Sequence, residues 1–494
     1  MGRNSGLLCH ISSLPNKYCI GDFGTEAYNF VDFLKNADQT YWQVLPLTQP
    51  GATFSPYQSV STYAINPMFV AVDKLLEEGL ITEDMAESLK PENPHKIDFP
   101  IAVSRKYETV LLAAEKFARL GYDKREDFIK FEEENRWWLK DYALFMIFRK
   151  KFGKKTWNKW DKPYADREPE ILAEAEKEYS HDIKIQVIIQ YFLYTQWYAL
   201  KKYANENGVK IIGDIPMYPD YDSVIVWANK ELFMLDEENN PVFVAGVPPD
   251  YFCEDGQYWG NPFYNWEYIK NNKFEYWVKR LDFALTKADI VRIDHFRAFS
   301  QAWRIPANKE RSAKNGEWME VPGYDILELV RQSHPDMPII AEDLGDIDDE
   351  VRELRDAFEL PGMSILQFAF DSEDSLYLPH NQVRKRVLYT GTHDNNTTFG
   401  WWKSIDDEKK DYVRKYLSID GNDISWQFIH AAAMTSADTV IFPIQDILRL
   451  DENYRMNIPG VVSKDNWAFR FSWDMVNDYY YRRLKEITGL YCRK

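Results

Sequence analysis

The stretch DIVRIDHF, Asp289 to Phe296, decides how the rest of the chain is read. Its β-branched residues favour a strand. Side chains alternate along a strand, so Arg292 and Asp294 share one face while Val291 and Ile293 take the other. An arginine and a carboxylate at the mouth of a buried strand are costly unless they are paired or used. Alone, this is an ordinary salt-bridged strand end. The pattern recurs in IIGDIP with Asp214, in PIIAEDLG with Glu342 and Asp343, and in VLYTGTHDNNT with His393 and Asp394. Parallel strands buried on both faces read as short apolar runs, and in α/β barrels their C-terminal ends carry the active site. Four such endings in one chain point to a single acidic cleft.

Working outward, the order from IIGDIP onward is strand, helix, strand, helix to about Leu448, the pattern of a (β/α)8 TIM barrel. YWQVLPL, Tyr41 to Leu45 before Pro46, reads as the first barrel strand. The loop TQPGATFSPYQSVSTYAINP after it is long and structured by Pro and Gly, and Tyr57 within it is a candidate stacking platform. From Met68 to about Asn207 apolar residues recur at helical spacing. This is more helix than one crossover needs, so a helical subdomain is expected over about 68–180. The segment 217–266 mixes Pro, Gly, Asn and Asp with Trp227, Tyr251, Phe252, Trp259 and Tyr264, and reads as an irregular lid or ligand wall. Asp250 and Asn261 are candidate polar contacts there. One long helix is expected from Glu267 to about Thr286, and a cleft-rim loop over 300–322. The whole chain, 1–494, is then one barrel with insertions and no separate C-terminal β domain.

Sixty basic against seventy-eight acidic residues give a net charge of −18, which argues against a nucleic-acid partner. Aromatic content is high at 16%, with 17 Trp and 31 Tyr. Such rings stack on the axial C–H faces of sugars as well as on one another, so the composition leans towards carbohydrate. The four cysteines, Cys9, Cys19, Cys253 and Cys492, have no zinc-like spacing and read as free thiols of a reducing compartment. With no secretory h-region and no 18-residue apolar run, a cytoplasmic protein without a membrane partner is expected. No glycine-rich phosphate loop, calcium loop or G-x-S-x-G elbow occurs, so no cofactor and no metal are expected.

Carboxylates without a Cys or His cluster suit acid/base and nucleophilic chemistry. Two of them about 5–5.5 Å apart would serve retaining glycoside chemistry. The nucleophile should be ionised and held by a cation, which Asp294 beside Arg292 provides. The acid should have a raised pKa, and Glu342 has the reach. Asp394 is the candidate third carboxylate, gripping sugar hydroxyls with His393 as donor. His295 alternates away from Asp294, and packing of the strand end is at least as good a role for it.

These residues carry a family resemblance. SSLP with IGDFG, WQVLPL, SPYQ, GDIPMY, GVPPDYF with GQYWGNPFYNW, VRIDHFR, IIAEDLG and GTHDN resemble the 4-alpha-glucanotransferases (amylomaltases, or disproportionating enzymes) of glycoside hydrolase family 77, along essentially the whole chain. The resemblance implies that Asp294 is the nucleophile, Glu342 the general acid/base and Asp394 the transition-state stabiliser. It implies substrate-binding roles for Arg292, His393, Tyr57, Asp250, Trp259 and Asn261, with Asp214 near the cleft. It further implies transfer of α-1,4-glucan segments to the 4-hydroxyl of a sugar acceptor, glucose included, with cyclic glucans as possible products. Ala298 stands where the family usually has glycine and is read as a methyl tolerated near the rim. The short N-terminal stretch suggests the bacterial type. An α-amylase-type hydrolase would share the three carboxylates, and a non-catalytic carbohydrate-binding protein would need mainly the aromatics.

Overall fold

The computed structural model describes residues 2–51, 53–249, 254–308, 310–345 and 347–494. Eight parallel strands form the central sheet: β1 (Asn4–Leu8), β2 (Tyr41–Gln43), β3 (Lys210–Ile215), β6 (Ile290–Ile293), β9 (Ile339–Ala341), β10 (Gly362–Ile365), β11 (Arg386–Tyr389) and β12 (Thr439–Pro443). Their order is β10-β11-β12-β1-β2-β3-β6-β9. The Ala341 N–H donates to the Pro361 carbonyl at 3.0 Å, bringing the two edge strands together into a nearly closed barrel. This is a (β/α)8 barrel.

The first strand is β1, and Tyr41–Gln43 is the second, so the reading of YWQVLPL as the opening strand is corrected. β1 pairs with β12 on one side and β2 on the other. Its sequence, NSGLL, contains Ser5 and Gly6, which hide the apolar signal of a buried strand. Gly6 is required by close approach: a Cβ there would lie 2.4 Å from the Tyr41 carbonyl oxygen.

Between β2 and β3 the chain forms a series of helices, the longest being Glu126–Lys151 and Ser180–Glu206. The second of these leads directly into β3. The expected single helix from Glu267 is two helices, Trp266–Asn271 and Glu275–Lys287. Lys273 and Phe274, at φ 54° and 60°, turn the chain between them. Apolar spacing continues across this break, which is why periodicity alone does not reveal it.

The stretches 217–266 and 300–322 are not purely irregular. β4 (Phe243–Val247), β5 (Gln257–Pro262), β7 (Gln301–Pro306) and β8 (Glu317–Glu320) form one antiparallel sheet in the order β5-β4-β7-β8. It has a small apolar cluster of its own, Val244, Ile305 and Ala313, with Tyr258 and Trp303 against it. These strands are short, and Pro306, Gly246 and Gly260 interrupt the alternation that would mark them in sequence. Among the described residues, no helix is long and apolar enough to cross a membrane.

Candidate active site

The site is built where the barrel ladder runs past the strand ends. The Asp294 N–H donates to the Ile215 carbonyl at 3.0 Å and the Glu342 N–H to the Ile293 carbonyl at 3.1 Å. The Phe296 N–H returns to the Glu342 carbonyl at 3.0 Å. Asp214, Asp294 and Glu342 therefore stand on neighbouring, hydrogen-bonded backbone at one end of β3, β6 and β9.

Arg292 ties the first two carboxylates together. Its Nη1 is 2.8 Å from both oxygens of Asp214, and its Nη2 is 2.8 Å from Oδ1 of Asp294. Its Nε contacts the Met363 sulfur at 3.4 Å. The Tyr57 hydroxyl donates to Asp214 Oδ2 at 2.6 Å. The Asp214 side chain is fully buried, whereas that of Asp294 is 32% exposed. Arg292 thus uses one end of its planar fork to anchor Asp214 inside the barrel and the other to orient Asp294 towards the cleft. Burial raises the Asp214 pKa, against the opposing pull of Arg292.

Glu342 accepts two backbone hydrogen bonds, from His295 N–H to Oε2 at 2.7 Å and from Leu344 N–H to Oε1 at 3.1 Å. Burial pushes its pKa up from 4.5 to about 7; Arg292 opposes the rise and Asp294 adds to it. A glutamic acid poised near neutrality beside a cation-held aspartate is the pairing that acid/base chemistry requires.

His295 takes a left-handed conformation, φ 55° and ψ 50°, which aims its N–H at Glu342. Its ring meets Trp259 edge-on at 4.8 Å between centroids. Burial lowers its pKa to about 4, so it is neutral at physiological pH. Trp259 is itself held by a 3.0 Å bond from its indole N–H to Gln257. Asn261 gives its side-chain amide to the Pro219 carbonyl at 2.8 Å, which ties β5 to the loop after β3. Asp250 lies outside the described residues.

His393 and Asp394 follow β11. The His393 ring stacks on Tyr57 at 5.1 Å and 16°. Asp394 is more open, its side chain 46% exposed, with His393 Nε2 3.5 Å away. Two residues that the sequence does not single out hold it. The Asn457 side-chain amide donates to Asp394 Oδ1 at 2.6 Å, and Arg455 donates to the Asp394 main-chain carbonyl. The Asn457 N–H also bonds the His393 carbonyl at 3.1 Å. Both residues come from a polar loop more than sixty positions away, and nothing in RMNIPG marks them.

One expectation is corrected here. Asp343, one residue from Glu342, does not enter the cleft. It is buried against Arg355 and Arg386 at 2.5 and 3.1 Å and accepts the Met363 N–H at 2.6 Å. Ala298 is fully buried in the turn Phe296–Phe299, which follows the end of β6. Among the described residues no group of three His, Cys, Asp or Glu side chains is arranged to hold a metal ion.

Fold and site together define a (β/α)8-barrel protein with Asp214, Asp294 and Glu342 grouped at the C-terminal ends of adjacent strands, Trp259 packed on His295, and Tyr57 stacked on His393 next to Asp394. The family profile of the 4-alpha-glucanotransferases, glycoside hydrolase family 77, matches residues 9–476. The chain belongs to this family. The 4-alpha-glucanotransferase of Synechocystis sp. is 41% identical over 502 residues, spanning 100% of this chain and 98% of its own length. That of Thermus thermophilus is 41% identical over 480 residues, spanning 95% and 94%. Among solved structures, the amylomaltase from Streptococcus agalactiae in complex with acarbose aligns with a TM-score of 0.95 at 38% identity, over 99% of both chains.

Proposed function

We propose that the chain moves a segment of an α-1,4-glucan to the 4-hydroxyl of an acceptor sugar or glucan by double displacement. Asp294 attacks the anomeric carbon, forming a carbon–oxygen bond as the glycosidic bond breaks. Glu342 gives its proton to the departing 4-oxygen. The acceptor 4-hydroxyl then attacks the same carbon, returns a proton to Glu342 and releases Asp294, so the anomeric configuration is retained. Asp394 grips the sugar hydroxyls and stabilises the charge that develops on the ring. Tyr57, Asp214, Arg292, His393, Trp259 and Asn261 surround the sugar or hold the groups that do, and Asp250 is assigned with them. Glucose serves as an acceptor, intramolecular transfer gives cyclic glucans, and the reaction takes place in the cytoplasm without cofactor or metal.

The observation that carries this reading is the contrast between two nearby carboxyls: Glu342 drawn to about 7 and Asp294 paired with Arg292 at 2.8 Å. The insertions at about 68–180, 217–266 and 300–322 are assigned to shaping the cleft. The aromatic stretch 217–266 is assigned to shielding the intermediate from water, so that an acceptor sugar wins. Incubating the protein with maltotriose alone tests the reading. Glucose together with chains longer than three is expected. Glucose and maltose only, with reducing ends rising in step, would make water the acceptor and the protein an α-1,4-glucan hydrolase of the amylase type.

A further inference from the structure

Between the barrel wall and its helices, behind Asp214, lies a cavity of about 60 Å³. Small residues line it: Gly213 on β3 and Ala284 on the helix Glu275–Lys287. Arg280, Ala284 and Lys287, spaced four and three apart, present one face of that helix to the space. Thr48 from the loop after β2 also lines it.

The polar groups around the cavity are unbalanced. The two Nη groups of Arg280 bond the carbonyls of Met217 and Pro216 and the Tyr264 hydroxyl. Its Nε, however, is buried with no hydrogen-bond partner, and so is the Thr48 hydroxyl. The Lys287 ammonium reaches a single hydrogen-bond acceptor, the Tyr63 carbonyl, at 3.5 Å. No carboxylate pairs with Arg280 or Lys287 among the described residues. The lining carboxylate, Asp214, is already held by Tyr57 and Arg292. Arg280, with its guanidinium 4.7 Å over the Trp277 ring, and Lys287, with its ammonium 5.0 Å over the Phe283 ring, thus line one partly open cavity without a carboxylate counter-charge among the described residues. Burial, with Arg280 adding to it, pulls the Lys287 pKa down to about 7. Buried charge and unsatisfied donors are both costly when left unmatched, and a small acceptor of negative charge relieves both. The volume accommodates such an ion with accompanying water.

We propose that this cavity is a binding site for a small monovalent anion of the halide class, held by Lys287, Arg280 and Thr48.

The test uses the full chain and sodium bromide, with sodium gluconate as the control at equal ionic strength. Bromide is expected to raise the melting temperature saturably, by roughly 1–2 °C at tenfold excess over its Kd. Anomalous scattering from bromide-soaked crystals is expected to show a peak in the cavity. Lys287→Met should abolish the shift. Thr48→Val, a milder change that serves if Lys287→Met fails to fold, should weaken bromide binding about 3–10-fold. Identical melting in the two salts would overturn the proposal, as would an undiminished bromide shift in the folded variants. A bromide peak in crystals without a saturable shift in solution would mean an adventitious ion only, and would overturn it as well.

Discussion

The two halves of the cleft are built differently. Asp214, Asp294 and Glu342 stand on barrel strands whose hydrogen bonding continues through the residues themselves. His393 and Asp394 lie on a loop, and their orientation is borrowed from Asn457 and Arg455 on another loop. The strand half is cross-linked by Arg292, with Asp214 fully enclosed and Asp294 32% exposed. The loop half is nearly half open at Asp394. Groups proposed to form and break a covalent bond need fixed geometry, which rigid strands provide. A group proposed to grip substrate as the transition state forms can sit on a more adjustable support. The comparison predicts that damage to the strand half abolishes chemistry, and that damage to the loop half weakens it by degrees.

The largest effect is expected at Asp294. Asp294→Asn keeps the shape and the cleft but removes the attacking charge. Turnover should fall by about 10⁴-fold or more, as when a covalent nucleophile is lost elsewhere. Glucan affinity, measured by calorimetry with a maltooligosaccharide, should change little. Undiminished turnover would remove Asp294 from the role of nucleophile.

A smaller effect is expected at Asn457. Asn457→Ala removes the 2.6 Å bond to Asp394 and leaves the three carboxylates in place. A hydrogen bond to a charged group contributes about 1.5–3 kcal/mol when buried. Asp394 is 46% exposed, so water replaces part of the lost bond and the lower end applies. The expected loss in kcat/KM is therefore about tenfold. A loss as severe as that of Asp294→Asn would show that the loop half is as exacting as the strand half.

The same contrast explains what the sequence made legible. Strand-end acids are visible because a short apolar run, a carboxylate and a turn residue are all local. Asp214, Asp294, Glu342 and Asp394 share that local signature. Asn457 and Arg455 act across more than sixty residues, and no local pattern encodes such a contact. The antiparallel sheet was hidden for a related reason: β4 and β7 pair across more than fifty residues, and each is short. The fates of Glu342 and Asp343 could have been separated, since neighbours on an extended chain point to opposite faces. Alternation sends one into the cleft and the other to Arg355 and Arg386. β1 escaped because Ser5 is buried against Thr488 and the Arg493 carbonyl, so a polar residue occupies what is a core position.

The smallest effect is a slope in stability with pH, and it tests the strand half without any substrate. Glu342 has its pKa raised from 4.5 to about 7 in the folded protein, chiefly by burial. Below about 4.5 both folded and unfolded chains hold this proton, and no penalty arises. Between about 4.5 and 7 the unfolded chain releases the proton while the folded chain retains it. The folded state then binds more protons, so stability from this group falls as pH rises through the window and stays low above it. Partial exposure in the cleft limits the total to roughly 1–3 kcal/mol. Glu342→Gln cannot ionise and lacks this slope. At pH 8 the variant should therefore melt about 1–3 °C above the parent, given the unfolding entropy of a chain this long. At pH 4 the difference should vanish. Melting curves of the two proteins from pH 4 to 8, in one buffer series of constant ionic strength, measure it directly. Parallel curves with a constant offset would mean that Glu342 is ionised in the free protein throughout the window. The strand half would then hold two like charges side by side, and the proton needed by the leaving oxygen would have to come from elsewhere.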